Sequence, residues 1–509
     1  MKSALAIFSA LLLAPLAFIH AAELKVASVF SDHMVLQREM PVPVWGWADP
    51  GQTVTVEFAG QTKTATADAN GKWLVKLDAM PASSESRTLK VNTIVIADVL
   101  VGEVWLCSGQ SNMEWALARS DGGEEAIAAA GNRLLRMGRV PHNVRFTPQN
   151  DVPVKWEESS PAAAKNFSAI PYWFGSKLQK ALGVPVGILN SAFGGTPIQS
   201  WMPAETLKNG PWPQDRWNDP VQAKADYDKK FEAIRPLKEK YEAEKADAIA
   251  KKLPVPPQPA GIPSEYKGAT TLWNGEVVPL LSFRIRGVAW YQGENNAYVQ
   301  SARYYKDLLP AMICDWRKGF GDPDLPFLIF QIARNRKWQI DPNEASGIAE
   351  LQEAQAKVAQ ATPHAALVVS TDMGGPDVHY HGKEPVAERG VKAALTIVYG
   401  QKIQYSGPVY QDIKFENGKA VVRFTQTAGG LKANGGALSG FVIAGADKKF
   451  YFADAKIDGD TVVVSSPQVP APVAVRYGWA DLPKINLFNA VDLPASTFRT
   501  DGWPVNAEK

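Results

Sequence analysis

The chain has 509 residues, too many for one ordinary hydrophobic core, so two or three domains are expected. Hydrophobic residues make up 46% and charged residues 21%, an ordinary globular balance that excludes extensive disorder and a coiled coil. With 54 basic against 52 acidic side chains, a net charge of +2 and no basic stripe, nucleic acid is not expected as a partner.

Residues 1–22 come first. Lys2 supplies a positive start, Ala4 to Ile19 is almost unbroken apolar sequence, and Ala21 and Ala22 are small residues suited to cleavage, the pattern of a signal peptide. A membrane span needs about 20 apolar residues. This stretch is shorter, and no later segment is a candidate, so a secreted or periplasmic protein without a membrane anchor is expected. From 23 to 98 short alternating apolar segments such as Val42-Pro43-Val44-Trp45 and Thr53-Val54-Thr55-Val56 are separated by turns at Asp49-Pro50-Gly51 and Asn70-Gly71, predicting an N-terminal β-sandwich. From 99 to 403 apolar strands alternate with helical periodicity, predicting an α/β layer on a parallel sheet. Its buried strands are expected at Val99 to Cys107, Val186 to Ala192, Arg286 to Gln292, Phe327 to Ile332 and Ala366 to Thr371. Residues 204–269 interrupt it with a charged excursion, helical from Tyr227 to Lys252 and Pro-rich from Pro254 to Pro259. Alternation returns from 404 to 509, a second β-sandwich. Cys107 and Cys314 are the only cysteines. Export would permit them to pair, and their apolar settings equally suit buried thiols.

Chemistry concentrates at predicted strand ends. Cys107-Ser108-Gly109-Gln110-Ser111-Asn112-Met113-Glu114 follows the first α/β strand and precedes a helix, at the sheet edge where open α/β folds build sites. Ser111 there is either a helix N-cap or a nucleophile. A nucleophile needs a base, an orienting acid and donors for the oxyanion. His33 lies in the leading sandwich, His364 precedes a strand at the opposite sheet end, and His142 has no strand end or acid at useful spacing. His379 and His381 follow the last strand, before a helix starting near Pro385. In Asp377-Val378-His379 the acid and the imidazole are two apart, leaving an extended backbone on one side. A metal would want three convergent ligands and no third is evident, so none is expected. Gly194 and Gly195 end another strand, where a glycine lets backbone approach substrate. Trp290-Tyr291-Gln292-Gly293-Glu294-Asn295-Asn296 ends a fourth, bringing amide side chains to the same edge. Sixteen tryptophans fit sugar stacking, with Trp115, Trp201 and Trp273 nearest the predicted site.

Together Gly102-Glu103-Val104-Trp105, Gly109-Gln110-Ser111-Asn112-Met113, Gly194-Gly195-Thr196, Trp290-Tyr291-Gln292-Gly293-Glu294 and Asp377-Val378-His379 resemble the sialate O-acetylesterase family of SGNH (GDSL-like) hydrolases, in order and spacing across nearly the whole mature chain. The resemblance implies a flavodoxin-like α/β/α hydrolase domain flanked by β-sandwiches, no cofactor, and removal of O-acetyl groups from sialic acids or other acetylated sugars. It implies Ser111 as nucleophile, His379 as base and Asp377 as orienter, with an oxyanion hole from the Ser111 N–H, a Gly194 or Gly195 N–H and the Gln292 or Asn296 side chain. Glu294 is implied as a substrate contact. General SGNH enzymes place the acid three residues before the histidine, where this chain has Pro376, so Asp372 stands in reserve. Competing readings are an acetylesterase for neutral plant polysaccharide such as xylan or xyloglucan, a non-catalytic glycan-binding protein, and a lipase-like esterase, the last disfavoured by the charged insertion. An arginine near the cleft would favour an acidic sugar, and Arg284 and Arg334 are candidates.

Overall fold

A single strand, β1 (Ile94–Gly109), belongs to two parts of the molecule. The computed structural model describes residues 23–212, 220–251, 253–257, 259 and 268–505; the expected leader and parts of the 204–269 insertion lie outside them. The first half of β1 pairs antiparallel with Ser83–Val91 and parallel with Val35–Gln37, within the N-terminal sandwich. Its second half runs between two parallel strands of the α/β layer. The expected boundary at 98/99 therefore falls inside continuous backbone, and one hydrophobic cluster spans both sides of it.

The other strands of the central sheet are β2 (Leu135–Arg139), β3 (Lys155–Glu158), β4 (Val186–Ala192), β5 (Gly287–Tyr291), β6 (Phe327–Phe330) and β7 (Ala365–Val368). Their order is β3-β2-β4-β1-β5-β6-β7, parallel throughout except that β3 runs antiparallel to β2. The five expected strands are all present. β2 and β3 were not expected, and Arg136 explains why. It interrupts the apolar run of β2 and is buried there because its guanidinium is paired with the Asp98 carboxylate.

Both faces of the sheet are covered. Helix α1 (Ser111–Glu114) is a single turn, followed by α2 (Ala169–Leu182), α3 (Pro220–Ala250), α4 (Tyr305–Phe320), α5 (Gly347–Ala361) and α6 (Glu384–Ile397). Phe327 and Phe330 on β6 have opposite parity and so point to opposite faces. Trp316 of α4 meets Phe327 at 6.2 Å, whereas Gly390 of α6 lies against the Phe330 ring. Helices α2 and α6 pack together on one side, and α4 with α5 on the other. Such double cover explains the nearly unbroken apolar content of β4, β5 and β6.

The N-terminal sandwich shows the expected alternation: in Lys72–Leu77, Trp73, Val75 and Leu77 face inward and the residues between them outward. After α6 come two four-stranded antiparallel sheets and a two-stranded one around their own core, including Val422, Phe424, Val462, Val464 and Tyr477. This C-terminal part is pinned to helix α5 and its N-cap, with Asp481 accepting from Ser346 Oγ and Thr497 donating to Gln352. Helix α3 of the insertion starts earlier than expected, at Pro220, and is largely exposed, carrying pairs such as Lys251–Asp247 at 2.8 Å. Among the described residues no helix is long and apolar enough to cross a membrane. Cys107 is buried and Cys314 exposed, and both are free thiols.

Candidate active site

At the carboxyl edge of β1 the backbone turns sharply. Gly109 has φ +137°, and a Cβ there would lie 2.0 Å from the Tyr291 carbonyl oxygen, so the passage beside β5 requires glycine. Gln110 then caps α1 and Ser111 is its first residue, so Ser111 is not the N-cap. Its N–H lies in the first helical turn, where no intrahelical acceptor exists. The loop after β4 comes close: a Cβ on Gly194 would sit 3.1 Å from the Ser111 Cβ.

Ser111 and His379 line the same cavity, of about 570 Å³, together with Glu114, Trp115, Arg119, Arg139, His142, Ser168 and Asn190. No hydrogen bond joins the Ser111 hydroxyl to His379; bonds of this kind commonly tighten only with substrate in place. The His379 imidazole stacks on Trp115, centroids 5.0 Å apart, and His381 stacks on the same indole at 5.4 Å. The Arg119 guanidinium lies 3.8 Å from that ring. Burial, with Lys383, Arg119 and His381 nearby, holds the His379 pKa below the ordinary histidine value against the opposing charge of Asp377.

Asp377 is placed beside the base but loosely. Its Oδ1 accepts the His379 backbone N–H at 2.9 Å, while the distance to Nδ1 is 3.9 Å and its side chain is 72% exposed. The reserve, Asp372, is spent elsewhere, gripped by both Arg389 terminal nitrogens at 2.7 Å.

Several expected contacts are corrected by burial. Gln292 Nε2 donates to Gln110, Thr196 and Asn296, and Asn296 Nδ2 donates to Gln199 Oε1, so both amides are spent inside the core and neither lines the cavity. Asn295, the other asparagine of that motif, donates to the Gly195 carbonyl. The Gly194 N–H points at the site but donates to Glu114 Oε2 at 2.6 Å. Trp201 is fully buried, its indole N–H on Thr196 Oγ1, and Trp273 packs against the core outside the cavity lining. Glu294 is buried beneath the site, accepting from Asn112. Only Trp115 among the expected substrate contacts lines the cleft.

Other groups there were not anticipated. His142, set aside from its sequence setting, accompanies Glu114 at 2.9 Å and stacks on Phe193 at 3.6 Å. Burial pulls its pKa down, but the hydrogen bond and charge of Glu114 outweigh this and hold it above the ordinary value. Glu276, wholly buried behind them, has its pKa pushed up by burial to about 7, and it accepts from Ser191 Oγ and the Asn143 N–H. Arg119 and Arg139 line the cavity with no carboxylate partner among the described residues. Arg284 and Arg334 do not line it; Arg334 holds the Pro483 and Asp372 carbonyls. Among the described residues no three His, Cys, Asp or Glu side chains converge as metal ligands.

A serine, an imidazole and a backbone amide at a helix start around one cleft are groups suited to hydrolysing a carbonyl substrate. Residues 271–394 match the family described as carbohydrate esterase, sialic acid-specific acetylesterase. The chain is 28% identical to sialate O-acetylesterase of Rattus norvegicus over 431 residues, covering 77% of this chain and 76% of that protein. Against the Homo sapiens sialate O-acetylesterase it is 26% identical, covering 79% and 76%. A carbohydrate acetylesterase from Xanthomonas citri superposes with a TM-score of 0.80 at 37% identity, covering 94% of this chain and all of that one. The chain belongs to the carbohydrate acetylesterases, and it is an esterase.

Proposed function

We propose that this esterase works through an acyl-enzyme with Ser111 as nucleophile and His379 as base, in an SGNH-hydrolase layer carried between two β-sandwiches. The observation that carries the reading is that Ser111 and His379, from opposite ends of the central region, line one cavity. His379 takes the Ser111 proton as Oγ attacks the acetyl carbonyl, and returns it to the departing sugar hydroxyl. Water, deprotonated by the same imidazole, then attacks the acetyl-serine and releases acetate. The developing oxyanion meets the Ser111 N–H and, once the substrate displaces the Glu114 carboxylate, the Gly194 N–H. Asp377 contributes its charge to the imidazolium from the rim of the site. The leader pattern at 1–22 supports export of the enzyme.

The substrate reading is an acetylated acidic sugar of the sialic acid type. Arg119 and Arg139, cationic and without carboxylate partners among the described residues, favour an anionic sugar over neutral xylan or xyloglucan. The test is acetate release from a panel of acetylated sialosides and acetylated plant glycans. Faster release from sialosides is expected, and equal or faster release from neutral polysaccharide would overturn this choice of substrate.

A further inference from the structure

Asn112, the residue after the nucleophile, is 1% exposed, and both polar ends of its amide are engaged. Nδ2 donates to Glu294 Oε1 at 2.5 Å and to the Val378 carbonyl at 3.1 Å, and Oδ1 accepts from Lys383 Nζ. The orientation is self-consistent, because an ammonium can only donate and a carbonyl can only accept. These partners come from three segments: the end of β5, the loop that carries His379, and the start of α6.

The titratable groups around Asn112 are unusually placed, since burial lowers the Lys383 pKa to about 7 and raises that of Glu294. Lys383 is fully buried, its ammonium 3.5 Å from the Tyr380 ring centroid. Glu294 is buried as well, and its Oε2 has no hydrogen-bond partner. The asparagine stands between the two. Burying a charge is costly without close compensation, so packing alone would favour apolar residues here.

Beyond the stacking of His379 and His381 on Trp115, little regular secondary structure surrounds the catalytic pair. Helix α1 is one turn long. The chain from β7 to α6 is turns and bends with one isolated bridge, Arg334–Gly374. Asp377 is exposed and 3.9 Å from the imidazole. The bond from Asn112 to the Val378 carbonyl therefore ties the nucleophile turn directly to the peptide preceding His379. We infer that Lys383 and Glu294 are positioning residues, acting through Asn112 to hold Ser111 and His379 in register. The inference rests on the reading of Ser111 as nucleophile and His379 as base. Neither positioning residue lines the cavity. They set the geometry on which attack depends, where a misplacement of about 1 Å costs on the order of 10²-fold.

The test uses the full chain with Lys383→Met, Glu294→Leu and Glu294→Gln. Two quantities are read: the rate at which a fluorophosphonate captures Ser111, and kcat and KM on 4-nitrophenyl acetate. Lys383→Met and Glu294→Leu are expected to slow both capture and kcat by about 10- to 100-fold with KM within about twofold. Glu294→Gln keeps an acceptor for Asn112 and should stay within about threefold of the wild type. Unchanged capture and kcat in Lys383→Met and Glu294→Leu, or equal loss in Glu294→Leu and Glu294→Gln, would overturn the inference. Should Lys383→Met not fold, the Glu294 pair decides alone. Failure of the wild type to be captured at Ser111 would instead remove the nucleophile assignment, an outcome separable from any effect at Lys383.

Discussion

The indole of Trp115 lies against the imidazole of His379, with centroids 5.0 Å apart and planes 25° from parallel. Since the carboxylate of Asp377 stands off by 3.9 Å, this stack supplies much of what fixes the ring. Trp115→Ala is expected to lower kcat by about 10- to 100-fold, and Trp115→Phe, which keeps an aromatic face, by less. Steady-state kinetics on an aryl acetate would decide, and an unaltered kcat in Trp115→Ala would assign the orientation to something else.

Ser111→Ala removes the proposed attacking oxygen without disturbing the turn, because Gln110 and not Ser111 holds the N-cap position. Turnover should fall by about 10⁴- to 10⁶-fold while the circular dichroism spectrum stays as in the wild type. Appreciable acetate release by the folded variant would exclude Ser111 from the reaction.

In the proposed mechanism the neutral imidazole is the base. Burial and the neighbouring cations hold the His379 pKa below the ordinary histidine value, so the acidic limb of kcat/KM against pH should fall below about 6.5. Asp377 opposes that shift, so Asp377→Asn should move the limb further toward acid. Buried orienting acids in serine triads are worth about 10⁴-fold, whereas Asp377, exposed and distant, should be worth about tenfold. A pH–rate profile of both proteins checks the direction, and a limb above the ordinary histidine value would contradict it.

Arg139 lines the cleft with its guanidinium 5.5 Å from the Phe167 ring centroid and no carboxylate partner among the described residues. Arg139→Ala should raise KM for an acetylated acidic sugar by about 10- to 100-fold, the worth of a hydrogen bond to a charged group. Hydrolysis of a neutral aryl acetate should change little. Equal losses on both substrates would point to a structural role for the arginine.

Glu103 is buried where Arg38 Nε and Arg286 Nε reach it at 2.5 and 2.8 Å. Burial raises its pKa, but the bonds to Arg286 and Arg38 prevail and hold it below the ordinary carboxylate value of about 4.5. Its contribution is therefore present at neutral pH and is lost as pH falls through the depressed value. Glu103→Leu leaves Arg38 and Arg286 with only the exposed Glu39, at 3.6 and 3.5 Å, and should destabilise the fold by about 3–5 kcal/mol, read by urea denaturation at pH 7.

Period and turn residues were enough to read the sheet edge. The strands that end in Gly109, Ala192, Tyr291 and Val368 were legible because each is an apolar run closed by glycine or polar residues, and from the first and last of those ends Ser111 and His379 followed. What the pattern does not encode is the depth of a polar side chain. Gln292 and Asn296 resembled donors aimed at a cleft, yet both point into the core, where their amides satisfy one another. Trp201 and Trp115 look alike in sequence, and only the latter faces the cavity. The meetings of Glu114 with His142 and of Asn112 with Lys383 depend on loops brought together by the sheet, and no local spacing announces them.

The sixteen-residue strand Ile94–Gly109 gives one stretch of backbone two masters. No flexible joint separates the leading sandwich from the layer that holds Ser111, so the sandwich is not a detachable cassette. A swap or deletion at residue 98 would cut the ladder that delivers Gly109 to its tight passage beside Tyr291, and with it the placement of the reactive serine. The trailing sandwich, with a core of its own, is joined on quite different terms.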